Sequence, residues 1–179
     1  MDRKIRATTI LGVRIGNKVA LGGDGQVTLG DIQLKSKAVK VRSFAGGTVL
    51  AGFAGAAADA MSLFEKFEGK LEETGGNLQR AVVEMAKDWR MDKILRELDA
   101  LLAIMDKKKA FILSGSGDVI EPDNQIISIG SGSGYALAAA RAYKNSGEKN
   151  PGKIVKESLK IVSDICIYTN SHITVMEIN

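Results

Sequence analysis

The chain has 179 residues, 45% of them hydrophobic and 26% charged, with a net charge of +4, 20 glycines, two prolines and the single cysteine Cys166. That length supports one globular domain with a sizeable core, and one cysteine excludes an internal disulfide and suits a reducing cytosol. No apolar run reaches the roughly 18 residues of a membrane span, no apolar stretch near the start resembles a signal peptide, and the diffuse positive charge lacks the interleaved aromatics of a nucleic-acid surface.

The first seven residues, MDRKIRA, are a short basic leader ahead of the adjacent threonines Thr8 and Thr9. TTILGVRI predicts a strand, Gly16-Asn17 a tight hairpin turn, and KVALGG the returning strand. QVTLGDIQL and AVKVRSF continue the β pattern, Gly46-Gly47 breaks it, and TVLAGFAG is another buried strand. From Ala56 the period lengthens. Ala60, Leu63, Phe64, Phe67 and Leu71 fall on one face of a helix that stops at Gly75-Gly76. Asn77 is placed to cap a second helix, buried through Leu78, Val82, Met85 and Trp89 and continuing through Ile94, Leu95 and Leu98.

Strands return in ALLAIMD, AFILSGSG, DVIEP and IISIGSG, with lysines 107–109 as a solvated turn. One further helix starts near Gly134 and runs through YALAAARAYK. Another starts at Asn150-Pro151, a cap followed by proline at the first helical position. HITVMEI closes the chain as a last strand. Strands and helix pairs in separate blocks predict an α+β fold of antiparallel sheets with helices stacked outside, not a βαβ sheet.

Most catalytic sets fail on this sequence. The one histidine, His172, falls in the last strand with no serine elbow, so a Ser-His-Asp triad has no support. One cysteine and one histidine cannot build a structural zinc site. There is no phosphate-cradling G-x-x-x-x-G-K-[ST], so no nucleotide is expected to bind this chain, and GSGSG at 130–134 lacks a βαβ setting. Thr8 remains. Taken alone, two threonines at a strand start are ordinary β-formers. Cut between Ala7 and Thr8, however, Thr8 gains an α-amine whose pKa of roughly 8 suits it to take the proton of its own hydroxyl. The leader then reads as a removable segment, residues 1–7, ahead of a single domain, 8–179.

The stretches TTILGVR, GGDGQVTLG, KAVKVR, VLAGFAG, ADAMSLFEKFEGKLEETGGNL, AKDWRMDKILRELDALL, IGSGSGYALAAARA and DICIYTN closely resemble the HslV (ClpQ) family. These are proteasome-related, threonine-type N-terminal-nucleophile hydrolases, and the likeness runs from Thr8 to the last residue. It implies a four-layer αββα sandwich. It also implies that Thr8 is the nucleophile, that Lys40 in AVKVR is the lysine beside it, and that Asp24 in GGDG is the carboxylate that orients the site. Gly52 in VLAGFAG matches the backbone N–H of the oxyanion hole, and Ser131 in IGSGSG the serine that supports the α-amine. Without the resemblance, Lys40 reads as an exposed strand lysine, Asp24 as a turn aspartate and Gly52 as a packing glycine. Ser163, Cys166 and Thr169 match positions whose backbone oxygens hold a monovalent cation, sodium; Ser163 stands where glycine is common. Ser133 likewise replaces a glycine usual in relatives, and the leader is longer than the single methionine of many of them.

The resemblance further implies a cytoplasmic peptidase that degrades proteins unfolded by a partner AAA+ ATPase of the HslU type, assembled as two stacked hexameric rings. Two rivals remain open on sequence. One is a free-standing amidohydrolase of the same chemistry; the other is a silent ring subunit that keeps its leader.

Overall fold

Gly16 adopts φ +58°, the left-handed conformation that a two-residue hairpin loop requires. Strand β2 (Thr9–Ile15) therefore turns through Gly16-Asn17 into β3 (Lys18–Asp24) with Ile15 opposite Lys18. The computed structural model describes residues 5–6, 8–55, 57–93, 95–97 and 100–179. The rest of the leader, Ala56, Ile94 and Leu98, on which expectations above fall, lie outside them. Before β2 comes β1 (Ile5–Arg6). After β3 come β4 (Val27–Leu29), β5 (Ile32–Lys35), β6 (Val41–Phe44) and β7 (Val49–Ala54), then helices α1 (Ala57–Glu73) and α2 (Leu78–Met91). Strands β8 (Leu101–Met105), β9 (Ala110–Ser114), β10 (Val119–Ile120) and β11 (Ile126–Gly130) follow. Helices α3 (Ser133–Asn145) and α4 (Pro151–Ile165) lead to β12 (Ile173–Ile178).

All strand pairings are antiparallel. One sheet has the order β11-β2-β3-β12, the second β10-β9-β8-β7-β6, and a small third sheet β1-β4-β5 flanks them. Ile10, Leu21, Leu50, Met105 and Ile129 pack between the two large sheets. On the outer face of the five-stranded sheet, Phe44, Phe53 and Leu102 meet Leu63, Phe67, Met85 and Trp89 of α1 and α2. On the other side, Leu11, Val13 and Ala20 meet Ala136, Ala140, Val155 and Leu159 of α3 and α4. Three apolar clusters separate four layers, the expected αββα sandwich. Strands β2, β3, β7 and β8 are buried on both faces, which is why they read as nearly continuous apolar runs.

Both asparagine caps form. Asn77 Oδ1 accepts from Arg80 N at 3.1 Å and Asn150 Oδ1 from Lys153 N at 3.0 Å. The second helix does not continue past residue 91. Asp92 takes an extended backbone (φ −74°, ψ 117°), its carboxylate accepts from Leu95 N at 3.0 Å, and the chain tightens into a 3-10 turn at Leu95–Glu97. The indole of Trp89 donates to Leu95 O at 2.8 Å, so the buried ring satisfies its N–H on that turn. His172 precedes β12 and does not lie in a strand. No helix among the described residues is long and apolar enough to cross a membrane.

Candidate active site

The four-stranded sheet delivers Thr8 at the head of β2 and Asp24 at the foot of β3, side by side because Ile10 pairs with Gly23. Thr8 is buried, with φ +112°. For a β-branched residue that is a strained backbone. Its carbonyl accepts from Ser131 N at 3.0 Å. Gly130, just before, has φ +94°, and a Cβ there would stand 2.0 Å from the Thr8 carbonyl oxygen. Only glycine lets the two segments meet so closely.

Asp24 is fully buried and gathers four N–H donors. Oδ1 accepts from Thr9 N at 2.8 Å and from Lys40 Nζ at 3.0 Å; Oδ2 accepts from Gln26 N at 2.8 Å and Asn170 N at 3.3 Å. Lys40, just ahead of β6, also donates to Gln26 O at 2.6 Å and is buried. Burial pushes the Lys40 ammonium below the ordinary lysine value, and its attraction to the Asp24 carboxylate opposes that shift without cancelling it. Thr8 and Lys40 together line a cavity of about 190 Å³, closed by Val27, Phe53, Gly55 and Met61. Thr8 and the depressed ammonium of Lys40 therefore border the same cavity.

Thr8, Lys40, Asp24 and the backbone of Ser131 are brought together. Gly52 is not. It is absent from the cavity lining, and a Cβ there would strike Ile10 Cγ2 at 2.7 Å in the core between the sheets. Phe53 N donates to Lys40 O at 3.1 Å, on the β6 side. Neighbouring residues of an antiparallel strand point their N–H groups to opposite sides, so that of Gly52 turns to β8, where it faces Ala103. The packing explanation for this glycine prevails, and Gly55, at the end of β7, is the glycine that borders the cavity. The alternation of β7 carried this signal in the sequence.

The candidate cation residues lie together at the end of α4. Cys166 is its C-cap, its N–H donating to Val162 O at 2.8 Å and its carbonyl accepting from Thr169 N at 3.0 Å. The Ser163 hydroxyl donates to Lys160 O at 2.7 Å, leaving the Ser163 side chain out of the set. A second lone pair on each carbonyl remains, and backbone oxygens at a helix end, where the dipole is negative, suit a hard cation. Among the described residues no group of three or more His, Cys, Asp or Glu side chains could hold a metal.

Two residues of the site escaped sequence reasoning. Asn170 accepts from Gly25 N at 3.1 Å and donates to Ser36 O at 2.9 Å, tying the Asp24 turn to the segment that leads to Lys40. Gln26 Nε2 donates to Ile167 O at 2.8 Å. Both contacts span more than a hundred residues, beyond the reach of any local pattern.

A family model described as "Proteasome subunit" matches residues 5–178. The crystal structure of eukaryotic HslV from Trypanosoma brucei is similar with a TM-score of 0.89 and 44% identity, over 94% of this chain and 98% of that one. Two structures of Thiobacillus denitrificans BPH, the second in complex with Epoxomicin, have TM-scores of 0.72 and 0.76 at 15% and 16% identity. They cover 96% of this chain, and 97% and 98% of their own, and speak for the fold alone.

Proposed function

Because this chain belongs to the proteasome subunit family, alongside HslV, we propose that it is the threonine endopeptidase of a two-component ATP-dependent protease. The observation that carries this reading is the buried Lys40–Asp24 pair next to Thr8 on the wall of a cavity.

Loss of residues 1–7 frees the Thr8 α-amine. It also removes the Thr8 φ constraint, because an amino-terminal residue has no preceding carbonyl, and so relieves roughly 1–3 kcal/mol of strain. The amine takes the hydroxyl proton, Oγ attacks the peptide carbonyl carbon, and the collapsing intermediate expels the leaving amine with that proton. Water then attacks the resulting ester and returns the Thr8 hydroxyl. Lys40 acts as a fixed positive charge that favours the developing alkoxide. Gly55, which borders the cavity just past β7, supplies the N–H donor for the oxyanion. The carbonyls of Ser163, Cys166 and Thr169 would hold a sodium ion, which would stiffen the loop after α4.

Unfolding the substrate requires work, and the sequence carries no phosphate-cradling G-x-x-x-x-G-K-[ST] motif to draw it from ATP, so an AAA+ ATPase of the HslU type is the partner. Two stacked hexameric rings would enclose the cavities and admit only unfolded chains. Thr8→Ala should abolish peptide hydrolysis and Thr8→Ser should keep part of it, since serine retains both hydroxyl and amine. Adding the partner ATPase with ATP should switch on degradation of a folded substrate. Robust hydrolysis by Thr8→Ala would sink this reading.

A further inference from the structure

We propose that Thr9 is a positioning residue, and that its buried hydroxyl, paired with that of Thr169, is the clamp that holds Thr8 in reacting position. The proposal rests on the threonine-peptidase reading and adds to it a second residue of the Thr-Thr pair.

Thr9 is fully buried and Thr169 nearly so. A hydroxyl taken out of water is unfavourable unless every part of it is bonded, and here every part is. Thr9 Oγ1 accepts from Gly132 N at 2.9 Å and lies 2.7 Å from Thr169 Oγ1. The Thr9 N–H donates to Asp24 Oδ1, the same oxygen that takes the Lys40 ammonium. The residue covalently next to the nucleophile thus touches three things at once. They are the carboxylate that holds Lys40, the loop after α4, and the turn whose Ser131 N–H holds the Thr8 carbonyl.

The turn is shaped for this contact. A Cβ on Gly132 would lie 2.4 Å from Thr9 Oγ1 and 3.1 Å from Thr169 Oγ1, so its amide approaches only because it is glycine. Strand pairing alone would hold β2 against β11 up to the Thr9–Gly130 pair and no further. Beyond that register, Ser131 N–H holds the Thr8 carbonyl, and the hydroxyl clamp fixes Gly132, the next residue of the turn, beside it. A displacement of the order of 1 Å in a reacting group can lower rate about a hundredfold, so a clamp one residue away acts on turnover more than on substrate affinity.

The test is a double-mutant cycle on the assembled protein with its leader removed, reading kcat and KM on a short peptide and assembly by sizing. Thr9→Val keeps the shape and deletes the hydroxyl; it should assemble and lose about ten- to a hundredfold in kcat, the equivalent of an orphaned buried partner, with KM within about twofold. Thr9→Ser should recover kcat to within about threefold of the parent, because the hydroxyl returns. Thr169→Val, which leaves the Thr169 carbonyl in place, should fall by a similar factor. The double valine variant should be no worse than the poorer single one by more than about twofold, because Thr9→Val already removes the contact that Thr169→Val deletes. Unchanged kcat in Thr9→Val, losses that multiply in the double variant, or failure of both valine variants to assemble would each overturn the clamp. Thr8→Ala, run alongside, separates the two readings. If it still hydrolyses peptide, the nucleophile assignment falls; if it is dead while Thr9→Val is fully active, only the clamp falls.

Discussion

Asp24→Asn and Lys40→Met cut the same buried ion pair from opposite ends, and the ends are unequal. In Lys40→Met the carboxylate keeps three backbone N–H donors, from Thr9, Gln26 and Asn170, which together stabilise its charge. In Asp24→Asn one oxygen becomes an NH₂ group that must face either Thr9 N and Lys40 Nζ or Gln26 N and Asn170 N. At least one backbone donor is then orphaned, and Lys40 loses its countercharge. Removing one partner of a buried pair costs about 3–5 kcal/mol, and for a chain of this size each kcal/mol shifts Tm by roughly 2–4 °C. Asp24→Asn should therefore melt about 6–20 °C below the parent at equal protein concentration, and Lys40→Met several degrees above Asp24→Asn.

The pH dependence has a definite sign. The folded pKa of Lys40 lies below its ordinary value of 10.5 because of burial. Between those two values the unfolded chain holds a proton that the folded chain has lost, so the Lys40 contribution to stability rises with pH in that window. Asp24 supports the ammonium through charge and a hydrogen bond, so Asp24→Asn depresses that pKa further and extends the window toward neutral pH. Urea unfolding of the three proteins at several values between pH 7 and 10 reads both effects. A Lys40→Met variant less stable than Asp24→Asn, or an Asp24→Asn variant with no steeper rise of stability near neutrality, would refute the account of this pair.

Mature protein purified from its own cells should begin at Thr8, which an intact-mass measurement reads directly; the lost leader carries +2 of the chain's +4 charge. Gly130→Ala should abolish turnover, since its methyl would have to displace the Thr8 carbonyl from the Ser131 amide; a peptide assay on the assembled variant checks this. Ser158, buried in α4, has a hydroxyl with no partner. Ser158→Ala should therefore leave stability unchanged or raise it by up to about 1 kcal/mol, as urea unfolding will show.

The layers were legible because each depends on local pattern. The period of α1, the Asn77 and Asn150 caps and the Gly16-Asn17 turn are written in neighbouring residues. The end of α2 is not legible because apolar spacing runs on past Met91, while the break rests on the Asp92 carboxylate accepting from the N–H of Leu95 and the Trp89 indole donating to its carbonyl. Thr8, Asp24 and Lys40 are matched by resemblance; Lys40 bonds Asp24 and shares a cavity wall with Thr8, contacts that no local pattern of sequence carries. Gly52 sits inside β7, paired with Val41 and Ala103 and packed on Ile10, whereas Gly55 follows the strand and borders the cavity, a difference set by pairing across the sheet. Asn170 and Thr169 lie at one end of the chain and their partners at the other, so no window of sequence joins them.

Thr9 and Thr169 are separated by 160 residues, and β12 occupies the edge of the sheet beside β3. Synthesis runs from the amino terminus, so β3 waits with an unpaired edge until nearly the whole chain has been made. Contacts of such high sequence separation form late and slowly. At a synthesis rate of about 5–20 residues per second, Thr9 waits several seconds for its partner Thr169. Until Thr169 and Asn170 have been made, Thr9 and the Asp24 turn lack the partners that hold them, so the proposed site is completed by residues far along the chain from those it positions.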